Sequence, residues 1–521
     1  MVGYYPEFFN DVFGPIMQPG SSSHTAGPCR IGYLAHQLLQ NPLKHILIEL
    51  DKNGSFAGTF GHMNEDLGML AGAYGLLPDD ERMFDIRKLL REDGIGYCFA
   101  YVDFPPDAHP NAVRFVLTDT KNNLVTLTGN STGGGMIETV QIMGISYRFV
   151  GDAFLTCVSF ADEADIPKEP PKSKGILEVE SMKNPNGEPL LFIRSEQRID
   201  NLENGSVLFR LDPILPAVSS KDRKKQLFTT FEEWIAFAKA ENISLAEAAV
   251  IYEQNASGWT KDQIRKYMKT VQKYMERQTE AVYEDDGPLL NTPYSGYHYN
   301  GWRKYERENK PLAGSVIAQA VHYAFGVQAL MRGVKLVPGP MGTGGGYLYS
   351  ALRAVKEEYG YGEEALLDGL FVAAGVGVIC YTRTNPTGEM LGCTGECGVC
   401  GAMAAAGITQ MVGGTPEQVE AAASMTLQAA LGWPCDPIPG GHNQPCMSRV
   451  LTAVTMAITF SDVALSGRNA VIPFHEVVDE ADIMGKQMPG ELKCTSCGGL
   501  CETPSGKRCK REFEQWHQSQ G

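Results

Sequence analysis

Basic residues are in short supply in this sequence. Its 521 residues include 45 Lys and Arg against 61 Asp and Glu, so the formal net charge is −16 at pH 7. A surface of that sign repels phosphate groups, which argues against nucleic acid and against an anionic membrane surface as partners. We therefore expect the partner to be a small molecule.

We expect neither a signal peptide nor a membrane-spanning segment in this sequence. Residues 1–10 are aromatic and carry Glu7, without the basic start and apolar core of a secretory leader. The most apolar stretch, 365–381, contains Asp368 and is short for a membrane span, so it predicts a buried core helix. The 13 cysteines then indicate reduced thiols and metal ligands in a cytoplasmic protein, rather than a disulfide framework.

Two common cofactor signatures are missing. No Gly-x-Gly-x-x-Gly opens a helix, and no convincing lysine and phosphate-cup pair indicates pyridoxal phosphate. A glycine-rich turn does occur at residues 129–135, and its N–H groups could face a carboxylate. Asn130, Ser131 and Gly134 of this turn are therefore candidate substrate-binding residues.

The patterning of the chain predicts four regions. Irregularly alternating strands and helices predict an α+β domain over residues 1–163. Residues 164–224 indicate a Pro- and Lys-rich linker with a small β-rich module. Helical spacing then predicts a mostly all-α domain over 225–485, followed by a Cys-rich tail over 486–521. The expected fold class is thus multidomain, an α+β domain followed by a mostly helical one.

A hydroxyl-rich segment opens the first domain. Ser21, Ser22, Ser23, His24 and Thr25 precede a predicted helix. Hydroxyl and N–H groups at a helix N-terminus suit an anion such as a substrate carboxylate, although a solvated N-cap cluster would have the same pattern. His62, in Gly-His-Met-Asn, is a candidate catalytic residue. The alternative is that it is a hydrogen-bonded histidine that caps the next helix.

Cysteines dominate the helical region. Cys393, Cys435 and Cys446 each lie beside Gly or Pro, where the backbone can approach a cluster and leave N–H groups free for sulfur. Thiolates are soft ligands suited to zinc and iron–sulfur clusters. The alternative is that these are buried structural thiols.

These motifs resemble the iron–sulfur-dependent L-serine dehydratase family, with its β and α parts fused in one chain. Gly-Cys-Thr-Gly-Glu at 392–396, Cys-Asp-Pro at 435–437 and Pro-Cys at 445–446 are similar to the α part, and the Ser-Ser-Ser-His-Thr segment is similar to the β part. The resemblance implies a [4Fe–4S] cluster on Cys393, Cys435 and Cys446, with its fourth iron open to substrate.

The resemblance also implies a lyase of amino-acid catabolism, supplying pyruvate for gluconeogenesis. It would eliminate water from L-serine to give pyruvate and ammonia, with oxygen sensitivity and a homodimer expected. His24, His62 and Ser23 are the candidate catalytic residues, and Ser21, Ser22, Ser23 and Thr25 the candidate substrate-binding residues; the base stays unassigned.

Two departures from the family pattern keep alternatives open. The segment 337–346 has extra glycines, and His442 replaces an apolar residue in the loop between Cys435 and Cys446, where it is a further candidate for substrate binding. Both favour a lyase with the same cluster acting on another β-substituted acid, for example a cysteine desulfidase-like β-elimination. A non-enzymatic cluster sensor has no need of the hydroxyl-rich segment.

The tail adds a second cysteine group. Cys494, Cys497, Cys501 and Cys509 could bind zinc, remain free on a mobile segment, or place one thiolate on the open iron. We expect the last, a tail cysteine that blocks the cluster at rest.

Overall fold

The computed structural model describes two hydrophobic cores, one around two sheets and one among helices. It covers residues 5–61, 63–167, 175–199, 205–217, 225–281, 299–328, 332–439 and 445–519. The prediction of an α+β region followed by a mostly helical region is confirmed.

The first core lies between short helices and a six-stranded sheet. Inward residues alternate along the strands, as in β1, where Ile46, Ile48 and Leu50 are fully buried. The sheet order is β2-β1-β3-β4-β5-β6, with β1 and β2 parallel and the other pairs antiparallel. The elements are α1 (Gly27–Gln37), β1 (Leu43–Asp51), α2 (Ser55–Thr59), α3 (Glu65–Tyr74), α4 (Ile86–Glu92), β2 (Gly96–Val102), β3 (Ala112–Asp119), β4 (Leu124–Gly133), β5 (Met136–Ile142) and β6 (Ile145–Ser146).

A second, four-stranded antiparallel sheet packs on the same core, because Phe192 and Leu211 belong to it. Its order is β10-β7-β9-β8, so the predicted boundary at 163 falls between strands of one sheet. The strands are β7 (Phe154–Ser159), β8 (Ile176–Lys183), β9 (Pro189–Ser195) and β10 (Ser206–Leu211).

The helical region is built around α11 and α13. Gly369 and Gly407 let these helices touch, because a Cβ on either glycine would lie 2.7 or 2.8 Å from the carbonyl oxygen of the other. The helices are α5 (Phe231–Glu241), α6 (Leu245–Ser257), α7 (Lys261–Glu280), α8 (Tyr299–Glu308), α9 (Gly314–Gln328), α10 (Gly344–Tyr359), α11 (Glu363–Arg383), α12 (Gly388–Leu391), α13 (Val399–Met411), α14 (Pro416–Ala429), α15 (Cys446–Leu465), α16 (Phe474–Gln487) and α17 (Pro504–Ser519).

Two of these helices, α11 and α15, are long and apolar enough to cross a membrane. The apolar window of α11 is 83% buried in the protein, and that of α15 is 39% buried. The stretch predicted as a core helix therefore lies inside the helical core.

The aromatic N-terminal segment belongs to the helical core, although it precedes the α+β region in sequence. Phe8 and Phe9 are fully buried there, and the Phe8 N–H donates to Glu253 Oε2 at 2.8 Å. This segment therefore packs against the helical region, to which it is not adjacent in sequence.

Candidate active site

The hydroxyl-rich segment forms a tight turn that leads into α1. Residues Ser22–Ala26 adopt one π-helical turn, and the Ser21 hydroxyl accepts the His24 N–H at 3.1 Å. The Thr25 hydroxyl accepts the Ser21 N–H at 3.0 Å and donates to the Met63 carbonyl. Ser21 and Thr25 thus hold the shape of the turn, which turns Ser23 and His24 towards the helical region.

Ser23 and His24 meet Glu389, from α12, in the interior. The Ser23 hydroxyl donates to Glu389 Oε1 at 2.8 Å and lies 2.9 Å from His24 Nδ1, which is 3.1 Å from the same carboxylate oxygen. Burial would raise the pKa of Glu389, but His24 and hydrogen bonds, including that from Ser23, outweigh it and lower this pKa. Burial lowers the pKa of His24, although the negative charge of Glu389 acts to raise it. Together they indicate an ionised carboxylate beside a neutral imidazole.

The second ring nitrogen of His24 is connected to the tail through the Ser55 hydroxyl. His24 Nε2 lies 2.9 Å from the Ser55 hydroxyl, and this hydroxyl donates to the Cys494 carbonyl at 2.9 Å. Ligand atoms of His24, Glu389 and Cys494 lie within 4.8 Å of one another. The α+β region and the tail therefore contribute to one buried site.

A group of thiols adjoins this site. Cys435 is in hydrogen-bond contact with both Cys393 and Cys494, and ligand atoms of Cys393, Cys435 and Glu396 lie within 4.8 Å of one another. Burial raises the pKa of Cys446, at the start of α15, and the nearby Cys393 and Glu396 raise it further. Hydrogen bonds from Cys397 and Cys435, with Arg449 nearby, lower the pKa of Cys393. Converging soft donors, one favoured as thiolate, fit a metal or an iron–sulfur cluster.

Glu396 supplies a second carboxyl group, and its pKa is shifted in the direction opposite to that of Glu389. It lies in the Thr394–Gly398 turn, and burial, reinforced by Cys393 and Glu389, raises its pKa well above the usual value. One carboxyl group of the site is thus kept protonated and the other ionised, the usual arrangement for an acid and a base.

The tail is docked rather than free. Cys435 N–H donates to the Leu492 carbonyl at 2.8 Å, and Cys494 N–H donates to the Cys435 carbonyl at 2.7 Å. Cys494 is 4% exposed. Farther along, the Ser496 hydroxyl and the Cys501 thiol both donate to the Pro437 carbonyl. These bonds tie the segment to the Cys435 loop, so a free tail does not match its packing in the structure.

Among the described residues, no three of the four tail thiols lie within 4.8 Å of one another, which disfavours one zinc site among them. Cys494 faces Cys435, and Cys501 faces the Pro437 carbonyl at 2.8 Å. Cys497 is exposed and Cys509 is half-buried on α17. All 13 cysteines lie in the described part of the chain and are free thiols.

The other predicted substrate-binding residues are spread around the site. Ser22 Oγ bonds the Pro340 carbonyl at 3.3 Å, and Ser131 Oγ donates to the Ser23 carbonyl at 2.6 Å, supporting the turn. Asn130 bonds Glu138 on the neighbouring strand, and Gly134 faces the Tyr381 hydroxyl. His62 and His442 lie outside the described residues, so their assignments stay predictions.

Sequence reasoning missed Glu389, Ser55 and Arg449. Glu389 follows Asn-Pro-Thr-Gly, a helix-start pattern that could have drawn attention to its carboxylate. Ser55 opens a five-residue helix and Arg449 lies one turn after Cys446. Nothing in the local sequence links them to the site, because their roles arise from contacts with distant segments.

Comparisons with known proteins match both regions. A sequence profile described as the serine dehydratase alpha chain matches residues 240–501. The chain belongs to the L-serine dehydratase family.

Individual relatives extend this result to the first region. The probable L-serine dehydratase alpha chain of Bacillus subtilis is 30% identical over 288 residues, 55% of this chain and 95% of the relative. In Peptoniphilus asaccharolyticus, the alpha chain is 31% identical over 55% of this chain and 98% of its own length. The beta chain of that organism is 32% identical over 30% of this chain and 69% of its own. This member of the family therefore fuses what is elsewhere two chains, and its relatives indicate a lyase.

Proposed function

We propose that this serine dehydratase family member is an L-serine ammonia-lyase that uses a [4Fe–4S] cluster held by Cys393, Cys435 and Cys446. The observation that carries the proposal is the meeting of Ser23, His24 and Glu389 with the thiol group at one buried place. When bound, an open iron supplies a Lewis acid that makes a β-hydroxyl a better leaving group.

The residues of the chain supply the proton transfers. Glu389, ionised, holds His24 through Nδ1, and the neutral imidazole accepts the Cα proton at its other ring nitrogen, Nε2. Glu396, kept protonated by burial, donates a proton to the departing hydroxyl. Loss of the Cα proton and of the hydroxyl gives water and an enamine, which tautomerises to an imine and hydrolyses to pyruvate and ammonia.

Cys494 acts in this proposal as the resting block of the site. It lies between Cys435 and the His24–Glu389 pair, in the space that a substrate in contact with both would occupy. Substrate must displace it, so the apparent affinity falls with the fraction of molecules that are blocked.

The substrate could also be another β-substituted acid. The glycine-rich segment that departs from the family pattern reaches the thiol group, since Met341 Sδ lies 3.9 Å from Cys397 Sγ and the Cys400 thiol donates to the Gly339 carbonyl. L-Cysteine therefore belongs in any substrate panel, with sulfide as the product to be measured.

The test is anaerobic purification followed by iron, sulfide, pyruvate and ammonia assays across β-substituted amino acids. We expect about four irons and four sulfides per chain, turnover of L-serine, and loss of both on exposure to air. Cys435→Ser should lose colour and turnover together, whereas Cys98→Ser, at an exposed thiol on β2, should keep them. Full iron content in Cys435→Ser contradicts the ligand assignment, and turnover of L-cysteine alone contradicts the substrate.

Glu396→Gln and Glu389→Gln test the proton-transfer roles separately from the metal. Both should lower kcat strongly and keep the iron content, because neither carboxylate is assigned as an iron ligand. An unchanged kcat in either variant removes that residue from the mechanism.

A further inference from the structure

Arg449 bridges the thiol group and the loop on which the tail docks. It lies on α15, one turn after Cys446, with a mostly buried side chain. Its Nη1 donates to Cys393 Sγ at 3.6 Å, and its Nη2 lies 2.7 Å from Asp436 Oδ1. The guanidinium is planar and rigid, so the ion pair with Asp436 restricts the direction in which Nη1 points.

Asp436 in turn is the contact point of the tail. Its side chain is 3% exposed, and its second oxygen, Oδ2, accepts the Leu500 N–H at 2.8 Å. Gly499 makes this approach possible, because its φ is +62° and a Cβ there would lie 2.2 Å from Asp436 Oδ2. The docked tail therefore holds the carboxylate whose other oxygen holds Arg449.

We propose that Arg449 tunes the bound cluster through Cys393, and that Asp436 couples this tuning to docking of the tail. This inference rests on the proposed iron–sulfur function. Hydrogen bonds to cluster sulfur and nearby positive charge stabilise the more negative, reduced cluster and raise its reduction potential. When the tail is released, Asp436 loses its contact with Leu500 and holds the Arg449 guanidinium less firmly. The reduction potential of the cluster then falls. Docking of the tail thus changes the reduction potential of the cluster through Asp436 and Arg449, independently of the Cys494 thiol.

The test measures the midpoint potential of the cluster by dye-mediated titration, together with the rate of iron loss to a chelator. Arg449→Gln should shift the potential to a more negative value and speed iron loss. Arg449→Lys, which keeps the charge and loses the fork, should shift it less. An unchanged potential in both variants, with circular dichroism showing a folded protein, overturns the tuning role.

Coupling to the tail is tested by a substitution in the tail. Gly499→Ala should undock Leu500, because the added methyl group collides with the Asp436 carboxylate, and the residue types at 436 and 449 stay unchanged. The comparison is made in a Cys494→Ser background, so that no thiol at position 494 enters or leaves the iron. The added alanine should shift the potential in the direction of Arg449→Gln, by a smaller amount. No shift from Gly499→Ala, with a clear shift from Arg449→Gln, overturns the coupling.

The same measurements separate this inference from the proposed function. A wild-type protein without stoichiometric iron and sulfide contradicts the proposed function itself, and the inference with it. A wild-type cluster with an L-serine lyase activity, and a potential indifferent to position 449, contradicts only the inference.

Discussion

If the tail blocks the site as proposed, Ser496→Ala should tighten substrate binding, because it weakens the docking of the tail. The Ser496 side chain is 1% exposed, and its hydroxyl donates to the Pro437 carbonyl at 2.9 Å. The residue lies two positions from Cys494 and outside the proton-transfer group. Its φ is +52°, a left-handed conformation that serine and alanine both tolerate poorly, so the substitution leaves that cost nearly unchanged.

The magnitude follows from one hydrogen bond. The Pro437 carbonyl keeps the Cys501 thiol as a donor at 2.8 Å, so the substitution does not leave it unpaired. A neutral hydrogen bond contributes about 1 kcal/mol net. A loss of this size corresponds to about a fivefold weaker docking equilibrium. Where the blocked form dominates, the open fraction rises by the same factor, and the apparent KM falls up to about fivefold.

The assay is steady-state pyruvate formation under anaerobic conditions, with iron measured on the same samples. The expected result is a lower KM at unchanged kcat and unchanged iron. Thr495→Ala is the matched control, because this hydroxyl donates to Glu491, within the same terminal segment, at 3.0 Å. It removes a neighbouring hydroxyl without touching the Cys435–Pro437 loop.

An unchanged or higher KM in Ser496→Ala would refute the reasoning. It would mean that the docked segment does not compete with substrate, or that this hydrogen bond contributes much less than about 1 kcal/mol to docking. The Cys494→Ser variant then decides between the two, since only the second case predicts a lower KM for it.

Three further outcomes are expected. Gly58→Ala should also lower the apparent KM, because a Cβ there would lie 2.8 Å from the Thr495 carbonyl oxygen and would push the tail away. Burial raises the pKa of Glu65 from 4.5 to about 8. The contribution of this protonated side chain to the free energy of unfolding is therefore complete below pH 4.5 and is lost as the pH rises through 8. Glu65→Gln should flatten this pH dependence in thermal unfolding. A pH profile identical to the wild type would contradict this sign. Thr415→Ala should cost about 1 kcal/mol in chemical unfolding, with iron unchanged, because it removes the capping box with Gln418.

Local chemistry accounts for what could be predicted. The buried helix at 365–381 was predictable because a continuous apolar run leaves no polar face, and α11 is indeed interior. The start of α14 was predictable because Thr415, Pro416 and Gln418 satisfy its first N–H groups within one turn, and the structure has that capping box. These features depend only on neighbours along the chain.

Packing across long sequence separations accounts for what could not. The aromatic N-terminal residues looked like part of the first region, yet Phe8 and Phe9 fill the helical core. The tail looked mobile, yet its N–H groups pair with the Cys435 loop. In both cases the local pattern is compatible with several partners, and the burial of apolar surface and the pairing of backbone groups select one.

By itself the sequence determined the family and the order of the two regions, because residue types and spacings carry that information. Only the tertiary structure decided which carboxylate faces His24. Glu389 is 366 residues from Ser23, whose hydroxyl it accepts, and no periodicity relates them. The same holds for Arg449, which reaches Cys393 and Asp436 at once. Such pairs form because buried charges must find partners where the two regions meet, and the fold alone determines which residues meet there.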